Sequence, residues 1–280
     1  MIAWRSLLLV VLHALAAPIA AGAPGAPYVP TPDDIVERML ALAEVGEHDH
    51  LIDLGSGDGR IVLAAAERGA SGLGVEIRQD LVDRARRAAE ARGVSDRVRF
   101  VREDLFTTDL SGATVVTLYL MPEMLERLRA KLLWELEPGT RVLSHDYPIP
   151  NWRSERAVEF DHPAKVDVTG VTRTVLYLYR VPAEVHGHWV ARVDTDSDGS
   201  EPVAGEPLKL EFAQRVTDVL GRMHRDGGPV PLEDVTLAGR TLRFTLPERK
   251  LRFVGQVDGR TIEGTLAGEG VSGRWRAHRS

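Results

Sequence analysis

A short apolar run, His50-Leu51-Ile52-Asp53-Leu54, passes without a spacer into glycines at alternate positions, Gly55, Gly57 and Gly59. A helical stripe follows from Arg60 to Arg68, carried by Ile61, Val62, Ala64 and Ala65. Strand, tight glycine turn and helix in this order commit the chain to a βα unit of an open, mostly parallel sheet. Glycine lets the backbone turn sharply and lie against a ligand with no Cβ in the way. The first peptides of the helix offer free N–H groups, and ligands of such sheets sit at this carboxyl end of the strands. The spacing is not that of a dinucleotide-binding loop. Arg60 stands where Gly-x-Gly-x-x-Gly needs its third glycine, which argues against a dehydrogenase.

Alternation continues on both sides of the loop. Thr31 reads as a helix N-cap with Pro32 at the first helical position, ahead of a stripe of Ile35, Val36, Met39, Leu40 and Leu42. Further strands are expected over 72–75, 98–101, 113–120 and 141–144, with helices over 80–91 and 121–134. Residues 158–160, 166–168 and 172–181 then read as strands alone. The expectation for 28–181 is a doubly wound α/β domain: a mostly parallel, seven-stranded sheet with antiparallel edge strands. Past Pro182 the pattern changes to period 2, over 208–212, 241–246, 251–254, 261–266 and 271–275, with Asp-Gly, Ala-Gly and Gly-Glu-Gly turns between. Residues 184–280 are therefore expected to form a small all-β barrel or sandwich, with Trp189, Phe244 and Trp275 in its core.

The 280 residues accommodate two such domains, and 44% hydrophobic with 27% charged residues excludes a disordered chain or a multi-span membrane protein. A net charge of −6 gives no global attraction to nucleic acid. The absence of cysteine removes disulfides, thiolate metal sites and a cysteine nucleophile from consideration. At the N-terminus, Arg5, an apolar run from Leu7 to Ala21 and a small-residue site at Ile19-Ala20-Ala21 match a signal peptide or membrane anchor over residues 1–22. That reading places the protein outside the cytoplasm, exported or anchored on the periplasmic side; a start further along the chain would leave it cytoplasmic.

Two acids complete the ligand-binding pattern. Glu76 ends the second expected strand, where a carboxylate accepts hydrogen bonds from ribose hydroxyls. Asp104 follows the third strand at the same sheet edge, within reach of a purine amino group. With Asp53 and the glycine loop, these residues resemble a class I S-adenosylmethionine-dependent methyltransferase over about 28–181. A narrower likeness lies in Tyr28-Val-Pro-Thr-Pro32, Asp53-Leu-Gly-Ser-Gly-Asp-Gly-Arg-Ile-Val-Leu-Ala-Ala65 and Leu132-Leu-x-Glu-Leu-x-Pro-Gly139. These segments are similar to protein-lysine methyltransferases of the type acting on the ATP synthase c-subunit and the adenine nucleotide translocase. The resemblance implies S-adenosyl-L-methionine as cofactor, held by Tyr28, Asp53, Gly55, Ser56, Gly57, Asp58, Gly59, Glu76 and Asp104.

Methyl transfer is an in-line displacement from an activated sulfonium, so the protein mainly positions and desolvates, and the step needs no metal. A lysine acceptor, with an ordinary pKa of ~10.4, must lose its proton first. Tyr119 and Pro122, after the fourth strand, are expected to position the acceptor. His145-Asp146-Tyr147, after the fifth strand, is a further acceptor-side segment, with a capped strand end as the plainer reading of His145 and Asp146. Asp194-x-Asp196-x-Asp198-Gly199 imitates the start of a calcium loop but lacks its closing glutamate and reads as a hairpin turn. His186-Gly-His188 would bind a metal only with a third ligand, and the sequence shows none. The acceptor is a protein lysine or a small molecule or lipid. A reading of another class is an exported binding protein with a vestigial cofactor fold.

Overall fold

A computed structural model describes residues 28–166, 170–195, 206–268 and 270–280. The chain begins with α1 (Asp33–Leu42), then alternates β1 (His50–Leu54), α2 (Arg60–Glu67), β2 (Ser71–Glu76), α3 (Gln79–Arg92), β3 (Val98–Arg102), β4 (Val115–Leu118), α4 (Pro122–Glu135) and β5 (Arg141–His145). Two strands follow, β6 (Arg156–Asp161) and β7 (Arg173–Arg180). The seven strands form one sheet in the order β3-β2-β1-β4-β5-β7-β6. All pairings are parallel except β5 with β7 and β7 with β6. The order reverses between β1 and β4, which opens a crevice at their carboxyl ends.

Both faces of this sheet are covered, as a parallel sheet requires. Leu51 of β1 points into a core shared with Ile35 and Met39 of α1, Val62 of α2 and Ala85 of α3. Its neighbour Ile52 points the other way, to Leu125, Leu128 and Leu132 of α4 and to Trp152 and Tyr179. Helix α2 is buried nearly all round, and its run of alanines, Ala64 to Ala66, lets it lie close to the sheet.

Two local expectations are corrected. Helix α1 starts one residue late, and Thr31 makes no capping bond: its hydroxyl lies 3.3 Å from His145 Nδ1 instead. The strand expected over 166–168 begins at the end of a 3₁₀ turn, Pro163–Lys165, where Val166 has helical dihedrals, and residues 167 and 168 lie outside the described residues.

The second sheet is antiparallel throughout. Its strands are β8 (Gly187–Thr195), β9 (Leu208–Arg215), β10 (Asp218–His224), β11 (Val230–Pro231), β12 (Glu233–Ala238), β13 (Thr241–Leu246), β14 (Leu251–Asp258), β15 (Thr261–Gly268) and β16 (Val271–Arg279). They run in the order β11-β10-β9-β8-β16-β15-β14-β13-β12. The Leu232 N–H donates to the Gly221 carbonyl across 2.9 Å, so the two ends approach and the sheet nearly closes into a barrel. Its interior holds Trp189, Phe212, Phe244, Phe253 and Trp275. Phe244 stacks on Phe253 with centroids 4.7 Å apart and meets the Trp275 edge at 5.6 Å. The acidic run at 194–199 leaves β8 and enters residues outside the described ones. The sheets meet where Arg240 donates to the Pro138 carbonyl and pairs with Glu137, and where the Ala183 N–H donates to the Gly239 carbonyl. Among the described residues no helix is long and apolar enough to cross a membrane.

Candidate functional site

The crevice at the β1–β4 switch holds a cavity of about 550 Å³, with lining residues drawn from 28 to 147. Tyr28, Asp53, Gly55, Ser56, Gly57, Asp58, Glu76, Asp104 and Tyr119 all line it. Gly59 and Pro122 do not. Gly59 precedes α2 at φ +83°, and a Cβ there would lie 2.7 Å from Phe100 and 2.8 Å from Ala85, so its role is to let α2 pack. Pro122 occupies the first position of α4, while Met121 beside it lines the cavity.

The loop is held from both sides. Glu76 accepts the Gly57 N–H at 3.1 Å on one oxygen and the Arg78 N–H at 2.9 Å on the other, leaving each oxygen a further lone pair. The Tyr28 ring covers Gly57, where a Cβ would come within 2.5 Å of it. The Ser56 hydroxyl is buried without a hydrogen-bond partner. Arg60 grips Asp58 through two nitrogens, at 2.9 and 2.7 Å, and donates to the Thr31 carbonyl at 2.8 Å. That contact pins the arm 28–31 over the loop. Burial would raise the Asp58 pKa, but the hydrogen bonds and charge of Arg60 outweigh it and hold the carboxyl below its ordinary value.

Asp53 behaves oppositely. Its carboxylate is buried and accepts the Thr117 hydroxyl at 2.7 Å. Burial dominates, the charges of Glu76 and Asp58 add to it, and its pKa rises to about 7. Such a carboxylate favours a ligand that brings positive charge. Asp104 spends one oxygen on the Phe106 N–H at 2.9 Å, closing the turn after β3, and still lines the cavity.

On the β4–β5 side the Tyr119 hydroxyl donates to Asp146 Oδ2 at 3.1 Å, and its ring lies 4.1 Å from that of His145. Burial, then the charge and hydrogen bond of Asp146, keep the Tyr119 proton on well above the ordinary tyrosine range. Asp146 in turn accepts from the buried Lys165 at 2.6 Å, and Lys165 also donates to the Arg173 carbonyl and the Thr174 hydroxyl. Burial lowers the His145 pKa to about 4, overriding the attraction of Asp146, so its imidazole is neutral near pH 7.

The sequence reading did not single out Asp146 and Lys165 as the support of Tyr119. It also missed most of the apolar wall, Ile77, Leu105, Phe106 and Met124, and held Met121 only as part of the segment from Tyr119 to Pro122. Ile77 and Met121 are exposed, an unusual position for large apolar side chains, and follow directly the acid and the tyrosine segment that were singled out.

The family model for the ANTKMT methyltransferase domain matches residues 53–156. A protein-lysine N-methyltransferase of Saccharolobus islandicus (strain REY15A) is 41% identical over 158 residues, covering 56% of this chain and 94% of that protein. An ATP synthase c-subunit lysine N-methyltransferase of Xenopus laevis is 37% identical over 147 residues, covering 51% of this chain and 65% of that protein. A Salinibacter ruber structure, described as an RNA methyltransferase in complex with S-adenosyl-L-homocysteine, is 47% identical, covers 56% of this chain and 96% of its own, and superposes with a TM-score of 0.51. Through its first sheet this chain belongs to the ANTKMT methyltransferase family and is an S-adenosylmethionine-dependent methyltransferase.

Proposed function

We propose that the protein transfers the methyl group to the side-chain amine of a protein lysine. The observation that carries this reading is Tyr119 in the wall of the cofactor cavity, with its hydroxyl donated to Asp146 behind it. The Tyr119 proton points to Asp146, so the phenol oxygen faces an incoming amine as an acceptor. It takes an amine N–H and turns the nitrogen lone pair toward the methyl group. Ile77, Met121 and Met124 suit the aliphatic stem of a lysine, whose ammonium sheds its proton to solvent before the nitrogen lone pair attacks. The lysine methyltransferases of Saccharolobus and Xenopus support the same acceptor. The net charge of −6 disfavours the RNA named for the Salinibacter protein.

The cavity residues fit the cofactor. Glu76 has free lone pairs that would take the ribose diol, Asp104 has a free oxygen that would take the adenine amino group, and the unpartnered Ser56 hydroxyl and the glycine backbone would receive the amino-acid end. Asp53, raised by burial, gains from a positive charge nearby. Bound S-adenosylmethionine supplies a methyl group already activated on sulfur. The chain's own contribution is to hold the amine in line, exclude water with Tyr28 and the apolar wall, and present Tyr119 to the nitrogen.

Incubating the protein with methyl-labelled cofactor and a cell extract of its source tests the acceptor. Label recovered as methyl-lysine after acid hydrolysis is the expected result. Label confined to RNA or to the low-mass fraction would overturn the lysine assignment while leaving the methyltransferase intact.

A further inference from the structure

His188 is not alone on the outer face of the barrel. It lies on β8 directly opposite Glu211 of β9, and His224 lies on β10, the next strand over. His224 Nε2 sits 2.7 Å from Glu211 Oε2, and the His188 and His224 rings are 6.2 Å apart. One ligand atom from each of the three residues lies within 4.8 Å of the others. Among the described residues no other group of three or more histidine or acidic side chains converges in this way.

We propose that His188, Glu211 and His224 form a binding site for a divalent transition-metal ion, with zinc as the ion their chemistry favours. Tetrahedral zinc, with ligand bonds of about 2.0–2.2 Å, holds its donor atoms about 3.4 Å apart. Rotation of partly exposed side chains closes the remaining gap. Two imidazoles and one carboxylate suit zinc and its neighbours in the first transition row, whereas calcium and magnesium require more oxygen. The strands that carry the ligands are firmly placed: the inward neighbours Trp189, Leu210 and Phe212 are buried, and the His188 carbonyl accepts the Ser280 N–H at 3.0 Å. Three protein ligands on an exposed face leave a fourth position for water or for a donor group of another molecule. No residue of this barrel lines the cofactor cavity, so the site is separate from methyl transfer.

The alternative is a surface ion pair of Glu211 and His224 with His188 as a bystander, and His188→Ala separates the two. Zinc chloride titrated into the full chain near neutral pH, followed by calorimetry, should show saturable binding of a single ion. Cobalt(II) in its place should give the visible absorption of a tetrahedral centre. His188→Ala, Glu211→Gln and His224→Ala should each weaken zinc about tenfold or more, with His188→Gln as a second variant if alanine perturbs the strand. His186→Ala should bind as the parent does. No saturable binding, or unchanged affinity in the His188 variants, would overturn the site.

Discussion

The Tyr119 hydroxyl donates to Asp146 Oδ2 across 3.1 Å, so the phenol proton is committed before any acceptor arrives. Only the oxygen lone pairs of Tyr119 remain to meet an amine. Tyr119→Phe keeps the ring packed on His145 and removes that oxygen. Turnover should fall about ten- to hundredfold, the worth of one hydrogen bond in the transition state, with cofactor affinity unchanged. Single-turnover rates and cofactor calorimetry on the same preparation check this, and parallel losses in both would show that Tyr119 belongs to the cofactor site.

Asp146→Asn should act differently. It takes the Asp146 charge away from the buried Lys165 ammonium, and losing that charge-assisted hydrogen bond costs about 1–3 kcal/mol. Denaturant unfolding should show the destabilisation alongside reduced turnover. The tyrosine variant should lose turnover alone.

Asp53 links the protein to pH. Its folded pKa of about 7 lies above the ordinary 3.8, so its contribution to stability is complete below about pH 4 and is lost as pH rises toward 7. A cationic ligand favours the ionised form, so binding should expel a proton below about pH 7. Cofactor affinity should accordingly rise with pH through that window, by at most about tenfold per unit. Calorimetry in buffers of different ionisation enthalpy counts the proton. Asp53→Asn should flatten the profile; an unaltered slope would assign the proton to another group.

Glu76→Ala removes the acceptor of the Gly57 and Arg78 N–H groups as well as the lone pairs proposed for the ribose. Cofactor binding should weaken by about 1–3 kcal/mol, read by calorimetry. Glu76→Gln keeps one acceptor oxygen and should fall between the alanine variant and the parent.

A chain ending at Val181 should retain cofactor affinity within about twofold, because every residue lining the cavity lies between 28 and 147. A folded truncation that fails to bind would mean that the Arg240 contacts to Glu137 and Pro138 hold the first sheet in its competent shape.

The glycine loop and the strand-end acids were legible because each is a local signal: a turn that demands glycine, or an acid within three residues past an apolar run. What stayed hidden was assembled across the chain. Thr31 has the sequence of a cap, yet its hydroxyl meets His145, 114 residues away. Asp146 reads as the end of a strand, and only the fold brings Lys165 to one side of it and Tyr119 to the other. His188 showed no partners because β10 carries His224 with too little apolar alternation to stand out, and strand register is not written in spacing. Gly59 looked like its two neighbours, but packing against Phe100 and Ala85 is what requires it.

The arm 28–31 bears on how long the cofactor stays. It has no place in the sheet; it is fastened by side chains, through Arg60 to the Thr31 carbonyl, through Thr31 to His145 and through the Tyr28 ring on Gly57. A segment held by so few contacts opens at a lower free energy than the strands beneath it. Opening of the arm would uncover the glycine loop without disturbing the sheet. A change at Arg60, whose bonds run to Asp58 and the Thr31 carbonyl, would then alter the rate at which spent cofactor leaves.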